Sequence, residues 1–597
     1  MSKILLVAVN ASYSHTAVAV RALYYYVKKF LPDFDIDYTE FTINQPVSEI
    51  YRGIAQRQPE CVLFSTYIWN ASIISALIPD LKQLLPGVLI GAGGPEFGYA
   101  AEYYLKKLPD LDFVMYGEGE ETVLELAKGM MRVAFELPER WGQSPALQER
   151  TDDLSQQQGE VQNQPNIKLL AAIKGIYFLQ TDGKLKFTGQ RDLICDMDQL
   201  PFAYPDIIGL RPESRSAGDA YHKIYYYESS RGCPYSCAYC MSSLDKKVRF
   251  MPLERVFHDL QIFLDADIPL VKFVDRTFNL NEDRYLAIWN YILQHHNKVT
   301  MFHFEIEAEY LSDRVLDFLQ QVPAGVMQFE IGVQSSNPKV LQAVKRSPDT
   351  HRLAANVKRI PRTIHQHLDL IAGLPYEDLE SFGRSFDFVM DLRPDALQLG
   401  FLKVLHGTEM EAYAKTHGWK WMQSPAYETF STPYMSYQDM LFLKDLEVLV
   451  DAYYNSGKFT HTMNYLCRSL GCWKFFSDMT VWAQKQGVFA VQRRESYWFQ
   501  LLAEYTGDIE STKLENNPLV LDLLRYDFVL RGKQGGWPAW YTHNYDKNRH
   551  RQLLEENGGV TNARLDFGHS EYEVFSFDVD AAAPENHPGK YEKLIKY

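Results

Sequence analysis

Residues 231–240 have the sequence RGCPYSCAYC, in which Cys233, Cys237 and Cys240 form a CxxxCxxC pattern. Three of the seven cysteines of the chain therefore fall within eight residues. Thiolates this close in sequence are typical ligands of one soft metal centre. A closed zinc site needs a fourth ligand, and the next cysteine is the distant Cys467. The pattern favours a centre with three ligands and an open position; the alternatives are three buried thiols, or zinc completed by a distant residue.

The cysteine loop follows the first strand of a series in which strand and helix patterns alternate. The predicted strands are Tyr225–Ser230, Val271–Asp275, Met301–Glu307, Gln328–Val333, Leu368–Ala372 and Ala396–Leu402. Helical patterns lie between them, for example Leu253–Leu264 and Glu282–His295. Six such units predict a (β/α)6 barrel, partial or complete.

A CxxxCxxC motif after the first strand of such a series resembles the radical S-adenosylmethionine (SAM) superfamily. The resemblance implies that Cys233, Cys237 and Cys240 hold a 4Fe–4S cluster whose open iron chelates the methionyl amine and carboxylate of SAM. Reductive cleavage of SAM then gives a 5′-deoxyadenosyl radical. The aromatic residue before the third cysteine, Tyr239, is implied to pack beside the adenine.

Further segments are similar to strands of oxygen-independent coproporphyrinogen oxidase, a member of this superfamily. Residues 329–335 (FEIGVQS) resemble its GVQ strand and imply that Gln334 helps to bind SAM, with Arg346, twelve residues later, on the SAM carboxylate. A guanidinium suits a carboxylate better than an ammonium does. Residues 367–375 (HLDLIAGLP) resemble a strand whose aspartate, here Asp369, contacts SAM. Glu305 and Glu307 face one side of a strand, and the resemblance assigns either of them to the ribose.

One segment departs from the superfamily pattern. Where relatives have Gly-Gly-Glu or three glycines after the second strand, residues 274–278 read VDRTF. That loop normally surrounds the SAM amine, and Asp275 is the candidate to supply a carboxylate in its place.

The first 135 residues show a separate alternation of strands and helices. The predicted strands are Ile4–Val9, Phe34–Ile43, Cys61–Trp69, Val88–Ile90 and Phe113–Tyr116. The pattern predicts an open, doubly wound, Rossmann-like parallel sheet with helices on both faces. Polar and glycine-rich loops follow several of these strands, at the edge where such sheets bind ligands.

A doubly wound domain ahead of a radical SAM barrel resembles the cobalamin-binding class of that superfamily. The Gly-Gly-Pro-Glu and Gly-Glu-Gly-Glu loops, at 93–96 and 117–120, are similar to its signatures. No Asp-x-His-x-x-Gly is present, so no histidine of that kind is expected on the cobalt. The alternative is a domain that has lost its ligand or docks a partner. The residues expected to line the corrin site are Asn10, Ser12, Tyr13, Ser65, Thr66, Tyr67, Gly93, Gly94, Pro95, Gly117, Glu118 and Gly119.

These patterns divide the chain into four parts. We expect a cobalamin-binding domain over residues 1–136, a polar linker with a β-hairpin over 137–215, and the radical SAM barrel over 216–408. Residues 409–597 are rich in aromatic side chains, resemble an uncharacterised domain found with this class, and are expected to form a mainly helical accessory or substrate domain.

Composition limits the cellular setting. The chain has 597 residues and a formal net charge of −15, which argues against tight nonspecific binding to nucleic acid. No apolar run reaches the roughly 18 residues that a membrane span needs. The first residues, MSKILLVAVN, predict a strand rather than a signal peptide. Few cysteines in a long chain predict a reducing, cytoplasmic location.

Together these features predict a cobalamin-dependent radical SAM enzyme that methylates an unactivated carbon. Its expected cofactors are a 4Fe–4S cluster, SAM and cobalamin, and its expected partner is a reductant of the flavodoxin or ferredoxin type. The alternatives are a radical SAM oxidoreductase or rearrangement enzyme without a corrin, and a non-catalytic iron–sulfur electron-transfer protein. The sequence does not identify the substrate.

Overall fold

The computed structural model describes residues 4–136, 166–210, 220–491, 493–508 and 518–530, together with 538, 540–541, 563–566 and 575–578. Most of the Gln-rich segment predicted as a linker lies outside these residues. No helix among them is long and apolar enough to cross a membrane.

The N-terminal part is an α/β domain built on a parallel sheet. Its parallel strands are β1 (Ile4–Asn10), β2 (Ile36–Thr42), β3 (Cys61–Ser65), β4 (Leu89–Gly93) and β5 (Phe113–Met115). They lie side by side in the order β2-β1-β3-β4-β5. Strand β1 is buried along its whole length, as expected of a central strand with helices on both faces.

Helices cover both faces of this sheet, as the doubly wound pattern predicts. They are α1 (Val18–Phe30), α2 (Val47–Ala55), α3 (Ala71–Leu84), α4 (Pro95–Tyr99), α5 (Ala101–Lys107) and α6 (Glu120–Glu136). Buried side chains of α1 and α6 belong to the apolar cluster of one face, and those of α2, α3 and α5 to that of the other.

The β-hairpin predicted within residues 137–215 forms, but it belongs to the first sheet. Its strands are β6 (Ile176–Leu179) and β7 (Leu185–Phe187), with Gly183 in a left-handed conformation at the turn (φ +76°). Strand β6 pairs antiparallel with β5, so the sheet has seven strands. The hairpin therefore extends the N-terminal domain instead of bridging two domains.

The central part is a six-stranded parallel sheet that curves as a partial barrel. Its strands are β8 (Ile224–Tyr227), β11 (Leu270–Phe273), β12 (Met301–Ile306), β13 (Met327–Gln334), β14 (His365–Ala372) and β15 (Ala396–Phe401). They pair in the order β15-β14-β13-β12-β11-β8, which is the order of the chain. Two short strands, β9 (Ser230–Arg231) and β10 (Arg249–Phe250), pair antiparallel beside the cysteine loop.

Helices connect the barrel strands and bury their apolar faces against them. They are α7 (Leu253–Asp265), α8 (Glu282–His295), α9 (Asp313–Leu319), α10 (Pro338–Ala343), α11 (Thr350–Arg359) and α12 (Leu379–Asp391). Polar side chains at their N-termini fix where they begin; for example, Asn281 accepts a hydrogen bond from the amide of Arg284.

The C-terminal part is mainly helical, as predicted. Its helices are α13 (Glu409–Thr416), α14 (Tyr437–Val450), α15 (Thr460–Leu470), α16 (Cys472–Lys485), α17 (Glu495–Gly507) and α18 (Pro518–Leu530). Its strands β16 (Lys420–Trp421) and β17 (Thr429–Ser431) form a hairpin, and β18 (Ala563–Asp566) pairs antiparallel with β19 (Phe575–Asp578).

One apolar cluster runs through all three parts. It includes Leu6 of the N-terminal sheet, Trp289 of the barrel and Phe475 of the helical region. The three parts therefore share one core on this side of the N-terminal sheet. Because the parts share a core, a substitution in one of them has to be checked for effects on the others.

Candidate active site

The cysteine loop is shaped by a glycine and by contacts with the returning strand. Gly232 has φ +88°, and a Cβ there would lie 2.5 Å from the carbonyl oxygen of Lys247, so only glycine fits. The amide of Cys233 donates to the carbonyl of Asp245 at 2.8 Å. The amide of Ala238 donates to the carbonyl of Val344 at 3.1 Å. These bonds hold both ends of the loop at the mouth of the barrel.

The three thiols have to lose their protons before they can bind a cluster, and their burial opposes this. Cys233 is buried, and Cys237 and Cys240 are partly exposed. Burial raises the pKa of Cys237 to about 11, although the positive charge of Arg346 opposes this, and burial also raises the pKa of Cys233. The described residues contain no group of three acidic, histidine or cysteine side chains close enough for one metal ion. The loop supplies three thiols, one fewer than the four ligands of a closed zinc site, which suits an iron–sulfur centre with an open position.

Arg346 and Gln334, the two residues that the resemblance implies for SAM binding, both lie beside Gly332 at the end of β13. Arg346 Nη2 donates to the carbonyl of Gly332 at 2.8 Å, and Arg346 Nη1 lies 4.0 Å from the Sγ of Cys237. Gln334 has φ +68° at a register shift between β13 and β14, and a Cβ on Gly332 would lie 2.2 Å from its Nε2. The strand end thus brings the predicted SAM-binding residues within reach of the cysteines.

Arg346 is also ion-paired with Glu307, which the sequence resemblance does not predict. Both side chains are largely buried. Burial raises the pKa of Glu307 to about 7, and the charge of Arg346 opposes the rise. A ligand carboxylate that binds Arg346 therefore has to share the guanidinium with Glu307 or displace it.

Two buried polar atoms at the strand ends have no hydrogen-bond partner among the described residues. They are the Oε1 of Gln334 and the Oδ1 of Asp369. Burial raises the pKa of Asp369 well above its ordinary value, and Glu330 and Glu305 add to the rise. Buried polar atoms are normally paired, so these two atoms fit a site that is completed by a polar ligand such as SAM.

A row of charged side chains inside the barrel was missed by the sequence analysis. Lys272 Nζ lies 2.8 Å from the Oε2 of Glu330 and 3.9 Å from the Oε1 of Glu305. His303 Nε2 lies 2.9 Å from the same Oε2 of Glu330. Burial alone would raise the pKa of Glu330, but His303 and Lys272 outweigh it and hold that pKa at about 2. Alternation of polar residues along β12 and β13 was the available signal.

Asp275, which the sequence analysis assigned to the SAM amine, has several protein partners. Its carboxylate accepts hydrogen bonds from the amide of Ser229 (2.9 Å) and from the hydroxyls of Ser229 and Ser230 (2.6 Å each). The residue is buried, and both oxygens are used by the segment ahead of the cysteine loop. Asp275 therefore supports that loop, and its assignment to the SAM amine remains a prediction.

The predicted corrin residues converge at the carboxyl ends of the N-terminal strands. They follow β1, β3, β4 and β5. Gly94 has φ +104°, and a Cβ there would lie 2.5 Å from the carbonyl oxygen of Thr66, so this glycine packs against protein. Thr66 is buried and donates to the carbonyl of Gly93 at 2.8 Å. Gly117 has φ +80°, and a Cβ there would have no protein atom within 4 Å.

Other side chains of this group already have protein partners. Asn10 donates to the carbonyl of His15 and to Glu40, at 3.0 Å each, and Ser12 contacts Ser14 at 2.8 Å. Tyr67 stacks on Trp69. Lys223 Nζ lies 3.7 Å from the ring centroid of Tyr13, and the carbonyl of Ser65 accepts a hydrogen bond from Asn70 at 3.0 Å. The remaining members, Gly93, Pro95 and Gly119, lie at the same edge.

Glu118 faces the barrel. Its carboxylate is ion-paired with Arg249 (2.6 Å) and Arg231 (3.2 Å), and it accepts a hydrogen bond from the amide of Ile194 at 2.7 Å. Both oxygens are therefore used by the protein. This side chain holds the Gly117–Gly119 loop against the barrel, and the assignment of Glu118 to the corrin site remains a prediction.

Three family models match the chain in the order that the fold shows. The model described as B12 binding domain matches residues 4–127, and the Radical SAM superfamily model matches residues 227–389. A model described as a protein of unknown function (DUF4080) matches residues 415–595. The chain is a radical SAM protein with a B12-binding domain. The predicted resemblance to cobalamin-binding radical SAM proteins with an uncharacterised C-terminal domain is confirmed.

Curated relatives of this radical SAM protein include two methyltransferases. An uncharacterised methyltransferase of Pyrococcus horikoshii is 25% identical over 379 residues, which are 62% of this chain and 72% of the relative. The cobalamin-dependent radical SAM methyltransferase TokK of Streptomyces tokunonensis is 25% identical over 350 residues, 56% of this chain. The match spans only 45% of the length of TokK.

Solved structures share the fold. OxsB with aqua-cobalamin and S-adenosylmethionine bound has a TM-score of 0.58 at 14% identity, over 88% of this chain and 79% of that chain. TsrM from Kitasatospora setae, with tryptophan substrate and a SAM analogue, has a TM-score of 0.52 at 14% identity, over 71% of this chain and 80% of that chain. The predicted fold class is confirmed. The domains and relatives support a radical SAM enzyme whose cofactors are a 4Fe–4S cluster, SAM and cobalamin.

A buried glutamate after β14 gives this enzyme a testable pH dependence. Glu377 accepts hydrogen bonds from the hydroxyls of Ser335 (2.6 Å) and Ser385 (3.2 Å). Burial raises its pKa to about 7, and the hydroxyls oppose the rise. Because this pKa is higher in the folded state, its contribution to stability is full below about pH 4.5 and is lost as the pH rises through about 7.

Glu377→Gln removes this titration. We expect the free energy of unfolding of the variant, relative to the parent, to rise by about 2–3 kcal/mol between pH 5 and pH 8. Urea unfolding of the cofactor-free chain at the two pH values measures it. Glu380→Gln, at an exposed position on the next helix, is the control that should show no such change. An equal stability difference at both pH values for Glu377→Gln would show that the carboxyl does not titrate in this range.

Proposed function

We propose that this radical SAM enzyme is a cobalamin-dependent methyltransferase that methylates an unactivated carbon. The observation that carries the proposal is the ion pair between Glu118 and Arg231, which puts the loop predicted to hold the corrin directly beside the cysteine loop. The printed names of the relatives, methyltransferases in both cases, support the same reaction class. Radical generation and methyl transfer must share one substrate carbon, and this arrangement brings their sites together.

The residues of the chain bind and orient the cofactors. When bound, the cluster and SAM supply a 5′-deoxyadenosyl radical, and cobalamin supplies the methyl group. Cys233, Cys237 and Cys240 are proposed to hold the cluster. Arg346, with its fork at the end of β13, is proposed to orient the SAM carboxylate.

Three further residues are proposed to complete the SAM site. Gln334 and Asp369 supply buried polar atoms that lack hydrogen-bond partners among the described residues, although the Oδ1 of Asp369 lies 3.8 Å from the Nε2 of His367. Glu305 and Glu307 are the two candidates for the ribose. Glu307 is ion-paired with Arg346, whereas the carboxylate of Glu305 is 3.9 Å from its nearest cation, Lys272, and is more available to a ligand. Glu305 is therefore the better candidate.

The C-terminal domain is proposed to shield the SAM site from water. Trp419 is buried and belongs to an apolar cluster with Ala238 and Leu374, against which Tyr239 packs. The amide of Thr429 also donates to the carbonyl of Leu402, just after β15, at 2.9 Å. These contacts place the first hairpin of this domain against the barrel edge and leave Tyr239 positioned for the adenine.

The cellular setting and the domain limits are part of the proposal. We propose that the enzyme works in the reducing cytoplasm, with a reductant of the flavodoxin or ferredoxin type. The divisions at residues 136, 215 and 408 are retained as proposed limits, except that the hairpin at 176–187 is assigned to the first domain.

The products of SAM test the reaction class without knowledge of the substrate. The anaerobically reconstituted chain is incubated with reductant and SAM, with and without cobalamin. A methyltransferase should form 5′-deoxyadenosine and, only with cobalamin, S-adenosylhomocysteine. Formation of 5′-deoxyadenosine alone in both cases would contradict methyl transfer and favour an oxidoreductase. Formation of neither product would favour an electron-transfer protein.

The corrin loop provides a separate test of cobalamin binding. Gly117→Val places a side chain where the protein leaves space beside the strand ends, so we expect a several-fold lower cobalt content with an unchanged iron content. Gly183→Val is the matched control, since Gly183 has a similar φ of +76° and an equally open Cβ position at the hairpin turn. Equal cobalt contents in the two variants would contradict the placement of the corrin.

A further inference from the structure

A buried network of ion pairs joins the N-terminal domain to the barrel. Its acidic members are Glu118, just before α6, and Glu120, its first residue. Its basic members are Arg231 and Arg249, on the paired strands β9 and β10. Glu118 Oε1 lies 2.6 Å from Arg249 Nη1 and 3.2 Å from Arg231 Nη1, and Glu120 Oε1 lies 2.6 Å from Arg231 Nη2.

Burial distinguishes this network from ordinary surface ion pairs. The side chain of Arg249 is 3% exposed and that of Glu120 is 6% exposed, while Glu118 and Arg231 are each 15% exposed. Exposed pairs contribute little to stability, but a buried charge that loses its partner is costly. The charges also act over longer distances here, because little water screens them.

The basic side of the network is part of the cysteine loop. Arg231 precedes Cys233 by two residues. Arg249 Nη2 pairs with Asp245 at 2.6 Å, and the carbonyl of Asp245 accepts the hydrogen bond from the amide of Cys233. The two arginines therefore fix both strands that flank the proposed cluster ligands.

The acidic side of the network is part of the proposed corrin loop. Glu118 lies between Gly117 and Gly119, and the segment after the hairpin is tied to the same carboxylate through the amide of Ile194. The cluster loop and the corrin loop thus meet through four charged side chains. A change in the charge or position of the two glutamates therefore alters the electrostatic field and the position of the cysteine loop.

We propose that Glu118 and Glu120 are positioning residues that hold the corrin loop on the cysteine loop and whose negative charges lower the reduction potential of the cluster. Reduction adds an electron to the cluster, and nearby carboxylates disfavour that added negative charge. The proposal needs the cluster and the corrin, but it does not depend on which group the enzyme transfers.

Glu118→Gln tests the electrostatic part. The cluster is titrated with reductant and followed by electron paramagnetic resonance in the full chain, reconstituted with iron and sulfide but without cobalamin. We expect the reduction potential to shift to a more positive value. Glu125→Gln is the matched control. Glu125 lies on α6, as Glu120 does, and pairs with Arg191 outside the network. We expect the cluster of this variant to have the reduction potential of the parent.

The double variant Glu118→Gln/Arg249→Gln separates charge from position. It removes one charge of each sign, so we expect the potential to return towards that of the parent. Cobalamin retention is measured on separate samples loaded with cobalamin and desalted, and we expect it to be several-fold lower than in the parent for both Glu118→Gln and the double variant. Glu120→Gln replaces Glu118→Gln if the latter does not assemble a cluster. A parental potential in both single glutamine variants, or the same shift in Glu125→Gln, would overturn the proposal. A parent protein that forms no cluster would instead contradict the cofactor assignment.

Discussion

Replacement of Cys233 with alanine is expected to abolish the cluster and the formation of 5′-deoxyadenosine. Cys233 is the buried member of the three cysteines, and the loop contains no fourth cysteine that could replace it. A cluster with two remaining protein ligands is expected to be lost during anaerobic purification. Iron and sulfide content, together with the rate of 5′-deoxyadenosine formation, measure the effect. The same loss is expected for Cys237→Ala and Cys240→Ala.

Cys195→Ala is the matched control for this prediction. Cys195 is exposed, and its Sγ lies 3.2 Å from the Nζ of Lys247, which is close to the cysteine loop in the fold. We expect its iron content and its 5′-deoxyadenosine formation to equal those of the parent. Cluster assembly by the Cys233→Ala chain, with parental radical formation, would show that the cluster is held elsewhere.

Arg346→Lys is expected to weaken SAM binding by about 1–3 kcal/mol, which is roughly a 5- to 150-fold higher Kd. Lysine keeps the positive charge that Glu307 needs, but it cannot make the parallel contacts of a guanidinium to Glu307, the carbonyl of Gly332 and a ligand carboxylate. Equilibrium dialysis of SAM with the cluster-loaded chain measures the effect.

Arg352→Lys provides the control for the same charge-preserving change. Arg352 lies on α11, six residues after Arg346, with its side chain exposed. We expect its SAM affinity to equal that of the parent. An unchanged SAM affinity in Arg346→Lys would show that the guanidinium does not bind SAM. Arg346 would then only support the protein, through Glu307 and the carbonyl of Gly332.

The strands and the cysteine loop could be predicted because their signals are local. The apolar run that begins at Ile4 predicts β1 almost to its last residue, and the turn at Gly183 predicts the hairpin. The resemblance to a relative named both Gln334 and Arg346, and the fold places both beside Gly332, because a strand end and the helix that follows it stay close in this fold.

The partners of charged side chains could not be predicted, because they depend on distant parts of the chain. Nothing near Glu118 indicates that Arg231 and Arg249 will neutralise it, and nothing near Asp275 indicates that Ser229 and Ser230 will use both of its oxygens. The sequence offers the right acidic residues, but only the packing of two sheets shows which of them remain available to a ligand.

The same limit applies to the glycines of the corrin loops. Sequence alone suggests that both Gly94 and Gly117 admit a ligand. The fold shows that Gly94 is required by the backbone of Thr66, whereas Gly117 faces open space. The sequence does not distinguish a glycine that is needed for packing from one that leaves space for a ligand. The atoms around each glycine in the folded chain do so.

The metal content of one preparation tests the central claim, that a single chain holds both the radical-generating cluster and the corrin. The full chain is reconstituted anaerobically with iron, sulfide and cobalamin, passed over a desalting column, and its iron and cobalt are measured per chain. We predict about four iron atoms and about one cobalt atom, both retained together. Retention of iron without cobalt would contradict the claim and leave a radical SAM enzyme that works without a corrin.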